Sequence, residues 1–123
     1  MSNKPNKKQE RPQFPKRAVV TAGMPYGNKE LHFGHIGGVF VHADVYARFL
    51  RDRLGEENVV FVSGTDCYGS PIAEGYRVAK EKNGFTGSIE DYVGKNHDRQ
   101  KEALDLYEIS LNLFGASGFG ATK

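Results

Sequence analysis

The stretch from Met24 to Gly38 constrains the fold most, because it joins the apolar run Ala18-Val19-Val20-Thr21-Ala22 to a long run with helical periodicity. The first run is short, β-branched in character and closed by Gly23, the pattern of a strand covered on both faces in a parallel sheet. From Ile36 onward, Val39, Phe40, Ala43, Ala47, Leu50 and Leu54 recur at three or four, the stripe of a helix on a core, and Gly55 supplies its stop. Asn58-Val59-Val60-Phe61-Val62-Ser63 reads as a second strand, closed by Gly64. Strand, glycine-bearing turn, helix and strand form a βαβ unit, so the fold class is α/β with a Rossmann-like parallel sheet. Ligands of such sheets bind at the carboxyl ends of the strands, where Met24 to His35 and Gly64 to Pro71 are expected side by side.

Within the opening stretch, His32 and His35 flank Gly34 at the point where a helix begins and its first N–H groups lack partners, a setting that favours phosphate. Each imidazole can donate a hydrogen bond to phosphate oxygens or, when protonated, a charge. Gly34 is read as a place where a flat base or a phosphate approaches the backbone. Gly37 and Gly38 each cost about 1 kcal/mol relative to alanine inside a helix, which points to close approach of a ligand or a neighbouring strand. Neither the G-x-G-x-x-G fingerprint nor a P-loop lysine is present. A zinc site on His32, His35 and Cys67 would lack the four ligands and paired cysteines of structural sites, so no metal site is assigned.

Further along, Pro71 suits the first turn of a helix running through Ile72, Ala73, Tyr76 and Ala79 to an Asn83-Gly84 stop. Ser88 and Asp91 form the spacing of a capping box for another helix, with Ile89, Tyr92 and Val93 and later Ala103, Leu104 and Tyr107. The polar stretch Gly94 to Glu102 between them reads as solvated. Val41, Val45 and Phe49 make a second apolar stripe on the first helix, leaving a narrow charged seam at Asp44, Arg48, Arg51 and Asp52. A helix of that kind is buried on more than one side, and the apolar helix from Ile36 to Leu54 predicts self-association if its covering is missing. Leu111-Asn112-Leu113-Phe114 begins like a strand and runs into glycine, which reads as an unfinished end.

The 123 residues are enough for one domain. A single cysteine, Cys67, permits no internal disulfide, as in a reducing compartment. The net charge of +2 hides an asymmetry, with +5 on residues 1–17 and −3 on the remaining 106. The basic, proline-bearing residues 1–17 could touch RNA phosphates but are read as a disordered, solubilising arm. Residues 18–123 are then a partial Rossmann-like domain. The longest apolar runs fall far short of the roughly 18 residues of a membrane helix, and the polar N-terminus is unlike a secretory signal. A cytoplasmic protein with no membrane partner is expected.

The pattern Pro25-Tyr26-x-Asn28-x-x-Leu31-His32-x-Gly34-His35, followed by Ala43-Asp44-Val45-Tyr46-Ala47-Arg48 and then Gly64-Thr65-Asp66, resembles the start of class I aminoacyl-tRNA synthetases, and within them the methionyl-tRNA synthetases. The resemblance runs from about Ala18 to Phe114. It implies ATP-dependent activation of methionine to methionyl-adenylate, with Mg²⁺ accompanying ATP, and transfer to tRNA. By the same resemblance, His32 and His35 are catalytic and stabilise the transferring phosphate. Pro25, Asn28, His32, Gly34, His35 and Gly37 bind ATP, while Met24 and Tyr26 hold the amino acid and Asp66 its ammonium group. Lys29 stands where the family usually has glycine, so either the loop differs or Lys29 takes a left-handed backbone costing about 1 to 2 kcal/mol. Tyr68 replaces the usual histidine after Gly64-Thr65-Asp66, and Cys67 an acid or small residue. The Lys-Met-Ser-Lys-Ser signature, the zinc-bearing insertion and the anticodon-binding domain have no counterpart in these 123 residues. The expectation is an N-terminal fragment or truncated relative, inactive alone. An independent HxGH nucleotidyltransferase and a non-catalytic nucleotide-binding module are the alternatives.

Overall fold

A computed structural model describes residues 13–118, so that most of the basic arm lies outside the described residues. Strand β1 (Ala18–Thr21) leads through a loop to a single helical turn, α1 (Phe33–His35), a π-helical segment (Ile36–Phe40) and helix α2 (Val41–Leu54). A 3₁₀ turn (Glu56–Asn58) precedes β2 (Val59–Thr65); helices α3 (Ser70–Asn83) and α4 (Ile89–Leu106) and strand β3 (Leu113–Ala116) follow. The three strands form one parallel sheet in the order β1-β2-β3, with Val20 opposite Phe61 and Gly64 opposite Gly115. The α/β architecture and the βαβ unit expected from the sequence are therefore present.

Alternation along the strands decides what is buried. Val20, Val59 and Phe61 point into a core with Phe40, Ala47 and Leu50 of the first helical run, Leu104 near the end of α4 and Ile109 just after it. Val19, Val60 and Leu113 are 70%, 43% and 53% exposed. The sheet is thus covered on one face, not on both as the apolar runs suggested, because α2 and α4 pack on the same side. Likewise α2 buries one stripe only, and its second stripe, Val41, Val45 and Phe49, remains exposed. Phe14 reaches that stripe, 6.0 Å from the Phe49 ring, with the Arg53 guanidinium over both rings.

Two boundaries run further than the sequence suggested. Strand β2 continues through Gly64 to Thr65, and β3 continues through Gly115 to Ala116. Gly84, at φ 66°, ends α3 as expected, and Ser88 and Asp91 close their capping box at the start of α4. The larger difference lies in α4, which runs unbroken through the stretch read as solvated; Asn96 is 7% exposed and Gln100 fully buried. Their polarity serves the protein's interior and not solvent.

The charged seam of α2 faces inward in part. Asp44, 7% exposed, accepts the Ser110 N–H at 2.8 Å, the Ser110 hydroxyl, and Arg48 Nε at 2.9 Å. Arg51 donates to the Ser110 carbonyl at 2.8 Å and to Asn112 Oδ1 at 2.9 Å, and the same Oδ1 accepts the Phe61 N–H at 2.8 Å. These bonds fix the segment that delivers β3 to the edge of β2.

Candidate functional site

The loop after β1 and the end of β2 lie side by side, as strand order requires. Asp66 N–H donates to the Pro25 carbonyl and Gly27 N–H to the Asp66 carbonyl, each at 2.8 Å, so that Tyr26 and Asp66 pair as a parallel bridge beyond the sheet. This brings together Met24 to Asn28 and Gly64 to Asp66, parts of the segments Met24 to His35 and Gly64 to Pro71 that were expected to lie side by side. A Cβ at Gly27 would fall 2.8 Å from Val93 Cγ1 and 2.9 Å from Thr65 Cγ2, so only glycine lets the loop lie this close to α4.

Helix α4 holds that loop carbonyl by carbonyl. Gln100 Nε2 donates to Tyr26 O and Lys29 O, each at 2.9 Å; Asn96 Nδ2 donates to Gly27 O at 2.9 Å; Tyr92 Oη donates to Asn28 O at 2.8 Å. Four consecutive backbone acceptors, which a loop would otherwise leave to water, are thereby satisfied from one helix face. Burial pushes the Tyr92 hydroxyl pKa up, an effect opposed by its hydrogen bond with Asn96, so Tyr92 stays a donor. Thr65 Oγ1 donates to Gln100 Oε1 at 2.8 Å and contacts His97 Nδ1 at 2.8 Å, tying the same helix to β2. None of Tyr92, Asn96 and Gln100 was singled out for the site from sequence. Their spacing of four was the available signal, since it places them on one face once the stretch is taken as helical.

The histidines cap their own turn. His32 Nδ1 accepts the Gly34 N–H at 2.9 Å, and His35 Nδ1 accepts the His32 N–H at 3.2 Å. The N–H groups of His35 and Ile36 go to the His32 carbonyl at 3.0 and 3.1 Å. The helix start therefore does not hold those N–H groups open for an anion, contrary to the sequence reading. An accepting ring nitrogen carries no proton, so both rings are assigned as neutral tautomers with Nε2–H as the available donor. The ring centroids are 3.9 Å apart. Burial, then the neighbouring His32 and then Lys29 lower the His35 pKa below the ordinary 6.5, which keeps it neutral near pH 7.

Gly34 has a reason within the chain itself. A Cβ there would lie 2.7 Å from His32 Cε1, so glycine makes room for the capping imidazole. At Gly37 and Gly38 nothing among the described residues comes within 4 Å of an added Cβ, which excludes a neighbouring strand as their cause. Both lie in the π-helical segment, an uncommon backbone that occurs frequently at functional sites.

A cleft of about 290 Å³ opens beside this turn, lined by Gly23, Met24, Pro25, Tyr26, Lys29, His35, Val39 and Phe40. Four of the expected site residues, Met24, Pro25, Tyr26 and His35, share it. Asp66 stands behind Tyr26, its Oδ1 accepting the Tyr68 N–H at 3.1 Å. The Asn28 side chain turns inward, its Nδ2 3.4 Å from the Pro71 carbonyl, and its Oδ1 is buried without a hydrogen-bond partner. Glu108 is the sole non-glycine with positive φ among the described residues, so Lys29 has no left-handed strain and the loop accommodates it. Among the described residues no helix is long and apolar enough to cross a membrane.

A parallel sheet with this turn after its first strand, and a second strand bridged to it through an aspartate, makes a Rossmann-like α/β fold with a cleft at the carboxyl ends of its strands. The family model for tRNA synthetases class I (M) matches residues 18–119, and the chain belongs to that family. It is similar to the methionine--tRNA ligases of Phocaeicola vulgatus (38% identical over 99 residues), Pyrococcus furiosus (39% over 99) and Chlamydia caviae (40% over 101). These matches take in 80%, 80% and 82% of this chain and 13%, 13% and 17% of the relatives, so the chain spans a small part of their length. The Mycobacterium tuberculosis methionyl-tRNA synthetase bound by methionyl-adenylate superposes with a TM-score of 0.72 at 26% identity, over 85% of this chain and 19% of that one.

Proposed function

We propose that this chain supplies one half of a methionyl-adenylate site. Methionine and ATP meet at the carboxyl ends of β1 and β2. A methionine carboxylate oxygen attacks the α-phosphorus, a new P–O bond forms, the bond to the pyrophosphate oxygen breaks, and the adenylate goes on to charge tRNA in the cytoplasm. The observation that carries this reading is the Tyr26–Asp66 bridge, which joins the loop of Met24 and Tyr26 to the end of β2 beside a cleft that His35 also lines. Met24 and Tyr26 contact the amino acid, and Asp66, half-buried behind Tyr26, pairs with its ammonium, which needs an opposite charge when taken from water.

In this reading His32 and His35 donate Nε2–H to the α-phosphate, where negative charge develops in the transition state. Donors already held in place need little reorganisation there. Pro25, Asn28, Gly34 and Gly37 border the nucleotide. No carboxylate lines the cleft, and Mg²⁺ would arrive with the nucleotide as part of the substrate.

The test is calorimetric titration of the chain with ATP and with a non-hydrolysable methionyl-adenylate analogue. The analogue is expected to bind more tightly than ATP, and absence of binding by both would sink the proposal. Methionine-dependent ATP–pyrophosphate exchange by the 123-residue polypeptide is expected to be absent or very weak, because it has no Lys-Met-Ser-Lys-Ser element; robust exchange would show that this element is dispensable.

A further inference from the structure

We propose that Lys29 binds the β- and γ-phosphates of ATP at the His35 cleft, an inference that rests on the adenylate-site reading above and deepens it. Of the eight residues lining the cleft, Lys29 is the sole one with a formal charge, and no acid lines it. Its backbone is anchored, because its carbonyl accepts from the fully buried Gln100 at 2.9 Å and its φ is not in the left-handed region. The position from which the side chain departs is therefore fixed by α4.

Neighbouring charges leave this ammonium available. The adjacent acid, Glu30, is taken by Arg99 of α4 at 3.0 Å. Among the described residues no ion pair involves Lys29. His32 and His35 offer neutral Nε2–H donors, and Lys29 is itself one of the charges that keep His35 neutral. A polyphosphate entering the cleft thus meets a hydrogen-bond donor from His35 and its cation from Lys29. An ammonium acts on phosphate as a point charge, so it needs no fixed fork geometry to do so.

AMP lacks the two terminal phosphoryl groups and separates this role from general folding or base binding. The full chain and Lys29→Met are titrated with ATP, AMP and inorganic tripolyphosphate by calorimetry, with urea midpoints as the check on folding. Loss of one charge-assisted contact is expected to weaken ATP and tripolyphosphate about tenfold. AMP affinity and the urea midpoint should stay unchanged, and Lys29→Arg should restore ATP binding. Equal losses for ATP and AMP, or an unchanged ATP affinity in Lys29→Met, would overturn the inference and leave the site reading standing. Binding of the adenylate analogue but not of ATP by the unaltered chain would overturn this inference alone, and binding of neither would overturn both.

Discussion

The Thr65 hydroxyl donates to Gln100 Oε1 at 2.8 Å, a buried bond between the last residue of β2 and the middle of α4. Because the same Gln100 amide donates to Tyr26 O and Lys29 O, the strand, the helix and the site loop share one side chain. Replacing it leaves two loop carbonyls without that partner, each with a cost of about 1 to 3 kcal/mol when buried, and takes from the Thr65 hydroxyl one of its two contacts, the other being His97 Nδ1. Gln100→Met is therefore expected to destabilise the chain by about 3 kcal/mol or more in urea unfolding. Arg99→Ala one residue earlier removes only an exposed ion pair with Glu30 and should cost under about 1 kcal/mol. Equal effects of the two variants would show that the buried fastening does not matter.

Gly34→Ala tests the capping imidazole. The added methyl must displace the His32 ring, since its Cβ would lie within 3 Å of Cε1 and Nδ1. Loss of an N-cap costs about 1 kcal/mol. Only a modest drop in stability is expected, together with shifted His32 ring signals in NMR spectra and weaker binding of the adenylate analogue. Unmoved ring signals would mean that the turn relaxes without releasing His32.

The order β1, helix, β2 was legible because apolar period and glycine punctuation are local properties. So was the approach of the loop after β1 to the end of β2, which follows from parallel pairing. What α4 does was hidden, because Asn96 and Gln100 are polar residues whose burial depends on backbone carbonyls about seventy positions away. The one-sided sheet was hidden for a related reason: Val19 and Val60 are as apolar as Val20 and Phe61, and nothing in their type says which face the helices cover. At Gly34 the crowding itself was hidden, since the crowding atom belongs to a side chain two residues away.

The uncovered stripe of α2 bears on association. Val45 is 60% exposed and Phe49 42%, with Val41 one turn before them. Contiguous exposed apolar surface favours a partner or a second copy. Sedimentation velocity is expected to show concentration-dependent association that Val45→Lys with Phe49→Lys abolishes without lowering the urea midpoint. A strictly monomeric unaltered chain at high concentration would refute this.

The His35 turn should respond to acid in a defined direction. Burial lowers the His35 pKa most, and the neighbouring His32 and the Lys29 charge lower it further from 6.5. A histidine whose folded pKa lies below its unfolded value binds its proton preferentially in the unfolded chain, so its contribution to stability is complete above about pH 6.5 and is lost as the pH falls through the folded pKa. His97 acts in the same sense, through burial chiefly, with Asp98 opposing and Lys101 reinforcing. Protonation at His35 Nδ1 would also remove the acceptor for the His32 N–H. NMR titration of the His35 ring is expected to give a midpoint below 6.5 that rises in Lys29→Met, where one of the causes is removed. Urea stability should decline below about pH 6.5, less steeply in His35→Asn than in the unaltered chain. A His35 midpoint at or above 6.5 would contradict the neutral-donor assignment on which its role at the phosphate rests.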